Sequence, residues 1–129
     1  MQYKIVFSDI DGTLLNHDRE LSPNTISTIK NLKDSLPFVL ISARMPAAMI
    51  HLQADLEIKE QRSICYNGGL ILVDGKAISS TEISLNTLEN LSDFNKSMNC
   101  HLSLYNSDEW YVPQYDQWAA REVNNTKVK

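Results

Sequence analysis

Three short apolar runs separated by helical stretches constrain this chain more than any other feature. Tyr3-Lys4-Ile5-Val6-Phe7 is β-branched and aromatic, leads into Ser8-Asp9 and is broken by Gly12, the pattern of a strand running out into a loop. Phe38-Val39-Leu40-Ile41 is uninterrupted between Pro37 and Ser42. It is too short for a helix and suits a strand buried on both faces. Ile64-Cys65-Tyr66 is a third run, ending at Asn67-Gly68-Gly69. Between the first two, Ser22 and Pro23 supply an N-cap and a proline for the first turn, and Ile26, Ile29, Lys33 and Leu36 follow at helical spacing, which predicts a helix over 23–35. Met45-Pro46 opens a second helical segment reaching about Leu56. Strand, helix, strand, helix, strand implies parallel strands joined by right-handed crossovers, with the ligand crevice beyond their carboxyl ends. Asp9, Ser42 and Asn67 stand at those three ends.

After Gly69 the pattern changes. Leu70–Val73 and Lys76–Ser79 flank Asp74-Gly75, a dipeptide that favours a two-residue hairpin turn. A helix is expected over 84–98, presenting Leu85, Leu88, Leu91 and Phe94, then two short strands over 101–105 and 110–112 around Asn106-Ser107-Asp108, and a last helix over 114–123. The expected organisation is an α/β, Rossmann-like parallel core over 1–83 and the beginning of an α+β unit over 84–129, with 124–129 a tail that offers nothing to pack. Trp110, Tyr111, Tyr115 and Trp118 are read as local packing, or, where exposed, as a contact surface.

Charge and cysteine usage remove several function classes. Twelve basic against sixteen acidic side chains leave a net charge of −4, which does not attract nucleic acid or an anionic membrane. Cys65 and Cys100 share no ligand or disulfide spacing, so reduced thiols in a cytoplasmic protein are expected. The run from Met1 to Phe7 lacks the length and cleavage site of a signal peptide, and no stretch reaches the roughly 18 apolar residues of a membrane helix. His17, His51 and His101 are not spaced as metal ligands.

The chemistry-bearing stretch is Asp9-Ile10-Asp11-Gly12-Thr13 at the exit of the first strand. Two carboxylates so close repel, so their coexistence at neutral pH requires a cation, a shared proton or strong hydrogen bonding. A divalent oxygen-seeking ion such as Mg²⁺ supplies that charge, and it takes only one or two protein carboxylates while leaving positions for water and phosphate. A calcium-loop reading places Asp9, Asp11, Thr13 and Glu20 at positions 1, 3, 5 and 12, but position 6 is Leu14 where glycine is required. A two-component receiver domain needs an aspartate at the third strand's end, where this chain has Asn67.

Phe7-Ser8-Asp9-Ile10-Asp11-Gly12-Thr13-Leu14-Leu15 resembles the DxDGT signature of the haloacid dehalogenase superfamily, in particular its Cof-type, sugar-phosphatase-like branch with a type IIB cap. Ser42-Ala43-Arg44-Met45-Pro46 is similar to that family's second motif, with Ala43 in place of the usual glycine, and Tyr66-Asn67-Gly68-Gly69 is similar to the turn after its third core strand. The resemblance implies that Asp9 is a nucleophile and Mg²⁺ ligand, and that Asp11 is general acid and then base, with its backbone carbonyl on the metal. It also implies that Gly12, Ser42, Ala43, Arg44 and Asn67 border or bind the phosphoryl group of a small phosphorylated metabolite. The family's later lysine and acidic metal motif have no counterpart among Lys59, Lys76, Lys96, Asp108-Glu109 or Asp116. The chain is therefore expected to resemble the front part of such an enzyme, ending within its cap. The alternative reading is a non-catalytic half-protein that associates with a partner or with itself through an exposed sheet edge or unfinished apolar surface.

Overall fold

A computed structural model describes residues 3–58 and 62–128. The expected strand run's Met1, and Lys59 and Lys129, lie outside the described residues. The chain forms two compact units, Met1–Ser80 and Thr81–Lys129.

The first unit is built on a five-stranded sheet in which each strand neighbours the next in sequence: β1 (Val6–Asp9), β2 (Phe38–Ile41), β3 (Ser63–Cys65), β4 (Leu70–Val73) and β5 (Lys76–Ser80). β1 to β3 run parallel, with Asp9 opposite Ile41 and Ile41 opposite Ile64. β4 and β5 are antiparallel. Asp74 and Gly75, both at positive φ (50° and 71°), make the tight connection between them, the two-residue turn whose twist matches a hairpin. β1 begins later than the sequence pattern predicts because Val6 is the first residue whose backbone is drawn in, its N–H donating to the Pro37 carbonyl at 2.8 Å. Asp9 is the last residue of the strand, at the carboxyl end where the sequence pattern places it.

Helices α1 (Pro23–Leu32) and α2 (Ile50–Leu56) join the parallel strands and pack on each other. Ser22 caps α1, its hydroxyl accepting the Thr25 N–H at 3.1 Å. The helix ends before the expected 35 because the chain tightens over Lys33–Leu36 into turns closed on Ile29 and Leu32. The second expected helix is divided: a 3₁₀ turn over Pro46–Ala48 precedes α2, which stops at Glu57 in the left-handed conformation, φ 57°. Ile10, Ile29, Phe38, Leu40, Met49, Leu52, Leu56, Ile58, Cys65 and Leu70 form the core. Leu40 is completely buried on β2 between two parallel neighbours, which contributes about 2 kcal/mol.

The second unit contains α3 (Leu85–Met98), the hairpin of β6 (Leu104–Asn106) and β7 (Glu109–Tyr111), and α4 (Gln117–Thr126). Ser84 caps α3 through the Thr87 N–H. Asp116 caps α4, one carboxylate oxygen accepting the N–H groups of Trp118 (2.9 Å) and Ala119 (3.0 Å) while the other bonds His101 Nδ1 at 2.9 Å. This cap moves the last helix three residues later than the sequence pattern places it. Residues 124–126 are helical, and Thr126 is buried, its hydroxyl donating to the Glu122 carbonyl. The expectation of an unpacked tail is corrected there. Trp110 stacks on Tyr105, centroids 6.3 Å apart, whereas Tyr111, Tyr115 and Trp118 are about half exposed or more. Cys65 is a buried free thiol and Cys100 an exposed one. Among the described residues no helix is long and apolar enough to cross a membrane.

Candidate active site

The parallel pairing fixes where the polar motifs meet. Because Asp9 is level with Ile41, and Ile41 with Ile64, Ser42 and the Tyr66–Gly68 turn lie at the same end of the sheet as Asp9. Ser42 and that turn are stitched together by backbone: Ser42 N–H donates to the Ile64 carbonyl (2.9 Å), Asn67 N–H to the Ser42 carbonyl (2.9 Å) and Tyr66 N–H to the Arg44 carbonyl (3.3 Å). Tyr66, Asn67 and Gly68 all have positive φ (53°, 54° and 98°). Asparagine and glycine tolerate this conformation, but a tyrosine there carries strain of order 1 kcal/mol that the surrounding bonds must hold.

Beyond β1 the backbone wraps on Ile10, which is completely buried. Its carbonyl accepts the N–H groups of Thr13, Leu14 and Leu15 at 3.3, 3.0 and 3.1 Å. Gly12 makes the reversal at φ 80°, a conformation that a side chain at this position would strain. The result is an exposed Asp9 carboxylate at the strand tip, one oxygen of which accepts the Thr13 hydroxyl at 3.2 Å.

Asp11 is oriented by long-range contact. Arg44, buried although charged, lays its guanidinium along the Asp11 carboxylate, Nε to Oδ2 at 3.0 Å and Nη2 to Oδ1 at 2.8 Å, and its other Nη reaches the Ala48 carbonyl at 3.4 Å. Arg19 adds a further contact to Oδ1 at 3.3 Å. Hydrogen bonding to Arg44 holds the Asp11 carboxyl below the ordinary carboxylate range; partial burial opposes this, and the charges of Arg44 and Arg19 reinforce it. Asp11 therefore rests as a carboxylate.

The structure thus brings Asp11 and Arg44 into contact and engages Arg44 with that carboxylate. Ser42 is buried, its hydroxyl accepting the Arg44 N–H at 3.1 Å, which leaves the hydroxyl proton to donate. Ala43 and Asn67 are exposed. Sequence reasoning passed over Arg19, whose only signal was one arginine between Asp18 and Glu20, and weighed Thr13 only as a calcium-loop position, not as a donor to Asp9.

The donor chemistry suits Mg²⁺. The exit of β1 offers a hard oxygen donor in the exposed Asp9 carboxylate, while two arginines occupy the Asp11 side chain; the family resemblance would add the Asp11 main-chain carbonyl. One carboxylate with a carbonyl is the sparse protein set this ion uses when water and phosphate complete its shell. Among the described residues no three His, Cys, Asp or Glu side chains cluster into a denser cage.

The sequence profile of the haloacid dehalogenase-like hydrolases matches residues 6–129, from β1 through both units. The chain belongs to this family. A phosphatase of Bacillus subtilis named for 5-amino-6-(5-phospho-D-ribitylamino)uracil is 30% identical over 133 residues, covering 96% of this chain and 48% of that protein. A Haemophilus influenzae protein is 42% identical over 73 residues, 56% of this chain and 28% of that one. A crystal structure of a haloacid dehalogenase-like hydrolase from Bacteroides thetaiotaomicron superposes with a TM-score of 0.91 at 21% identity, covering 98% of this chain and 50% of that one. The chain thus spans half or less of the length of these relatives.

Proposed function

We propose that the protein is a Mg²⁺-dependent phosphatase of small phosphorylated metabolites, working through an aspartyl-phosphate on Asp9. The observation that carries this reading is the pairing of an exposed carboxylate at the tip of β1 with a second, arginine-oriented carboxylate two residues later. The family match and the phosphatase named in Bacillus subtilis support it. Bound Mg²⁺, held by Asp9 and the Asp11 carbonyl, would neutralise phosphate oxygens that otherwise repel an incoming carboxylate.

In the first half-reaction an Asp9 oxygen bonds to phosphorus while the ester oxygen departs; Asp11, a carboxylate in the free chain, takes up a proton from solvent as substrate binds and passes it to that oxygen. In the second, Asp11 removes a proton from water, whose oxygen bonds to phosphorus and displaces the Asp9 carboxylate as inorganic phosphate leaves. The arginine contacts favour the base form of Asp11, the form the second step uses. Ser42, with Ala43 and Asn67 beside it, borders the phosphoryl position, where its hydroxyl proton can meet developing charge. The test is Mg²⁺-dependent release of p-nitrophenol from p-nitrophenyl phosphate: turnover abolished by Asp9→Asn, in a variant that unfolds like wild type, supports the reading, and turnover indifferent to Asp9→Asn overturns it.

A second reading, association with a partner or a second copy, is favoured by exposed apolar side chains. Phe7 is exposed on edge strand β1, and Ile83, Leu85, Phe94 and Met98 are exposed in the second unit. A stable oligomer without turnover in light scattering and assay would support it.

A further inference from the structure

We infer that Arg19 binds the anionic group of the substrate, exchanging its contact with Asp11 for phosphate oxygens at the tip of β1; this rests on the phosphatase reading above. Two guanidinium groups reach Asp11, and they differ in kind. The Arg44 side chain is 5% exposed and forks both oxygens, whereas that of Arg19 is 44% exposed and makes one contact of 3.3 Å to an oxygen that Arg44 already holds at 2.8 Å. Arg44 makes the two-pronged contact that orients Asp11, and Arg19 adds only its charge and one long bond. The Arg19 contact is a long, half-solvated ion pair of the kind that contributes about 1 kcal/mol or less, so it yields readily to an anion that offers two oxygens to the planar fork.

The turn that carries Arg19 is built. Asn16 N–H donates to the Glu20 carbonyl and Glu20 N–H to Asn16 Oδ1, both at 2.9 Å, Arg19 N–H donates to the Asn16 carbonyl at 3.0 Å, and Leu15 bridges Leu21 across its base. These bonds hold Arg19 at φ 60°, a conformation unfavourable for a side-chain-bearing residue. The turn brings a half-exposed cation to Asp11, two residues from the exposed Asp9 carboxylate at the tip of β1.

The test titrates the full chain with inorganic phosphate in the presence of Mg²⁺, read by amide chemical shifts. Arg19→Ala is expected to weaken phosphate binding about tenfold, the size of one lost charge-assisted contact, with the unfolding midpoint unchanged and Arg19→Lys recovering part of the affinity. Equal phosphate affinity in wild type and Arg19→Ala overturns the inference and leaves the phosphatase reading to its own Asp9→Asn assay. Absence of phosphate-induced shifts over 9–13 in the wild type overturns both.

Discussion

Arg44 and Asp11, 33 residues apart in sequence, form a two-pronged pair whose arms measure 3.0 and 2.8 Å. It ties the loop after β1 to the loop after β2. A buried guanidinium cannot be left unpaired without a desolvation cost, so the pair orients a reactive carboxylate and closes the sheet end in one contact. Arg44→Lys keeps the charge but loses the fork. It is expected to destabilise the chain by about 1–3 kcal/mol, the range for hydrogen bonds to charged groups, as read by the urea unfolding midpoint at pH 7. Arg44→Ala should cost at least as much.

Acid should weaken this pair in a defined direction. The folded-state value of Asp11 lies below its ordinary one because of Arg44, so the contribution is complete above the unfolded value of about 3.9 and is lost as pH falls through the lowered folded value. Unfolding midpoints measured from pH 7 down to 2.5 should fall less steeply in Asp11→Asn than in wild type. Identical slopes would mean that the pair makes no net contribution.

Truncation at the centre of the sheet tests the packing. Leu40 is fully buried on β2, between β1 and β3. Leu40→Ala should lose about 2–5 kcal/mol through transfer and cavity terms, visible as a lower urea midpoint. Ile78→Ala on the exposed strand β5 should change it by under about 0.5 kcal/mol.

In the second unit, Asp116 serves as helix cap and histidine partner at once. Its carboxyl is held below the ordinary range, chiefly by the Ala119 N–H, with His101 and Trp118 N–H adding to it. The stabilisation is therefore present above the ordinary carboxylate value and lost as pH falls through the lowered one. Asp116→Ala should reduce far-ultraviolet helical signal and increase amide exchange in α4, while Asp116→Asn, which can still cap, should retain most of the helix.

Much of the architecture was legible because local chemistry and long-range packing agree there. Ser22-Pro23 and Ser84 carry the N-cap side chain that favours a helix start, Asp74-Gly75 turns a hairpin, and an apolar run as short as Phe38–Ile41 has few alternatives to a central strand. The reading failed where a side chain's partner is remote. The start of α4 depends on Asp116 rather than on the apolar spacing after Gln114, and the burial of Thr126 depends on the helix that this cap permits.

The site divides in the same way. The placing of Asp9 and Asp11 at a strand exit broken by Gly12 was legible from sequence because a strand end, an acid pair and a chain-breaking glycine are all local facts. Arg44's commitment to Asp11, the approach of Arg19 to the same carboxylate and the Ser42–Asn67 stitching were decided by tertiary structure alone. Parallel pairing aligns the ends of strands that are distant in the chain, and spacing along a sequence carries no information about which charged groups that alignment brings within hydrogen-bond reach.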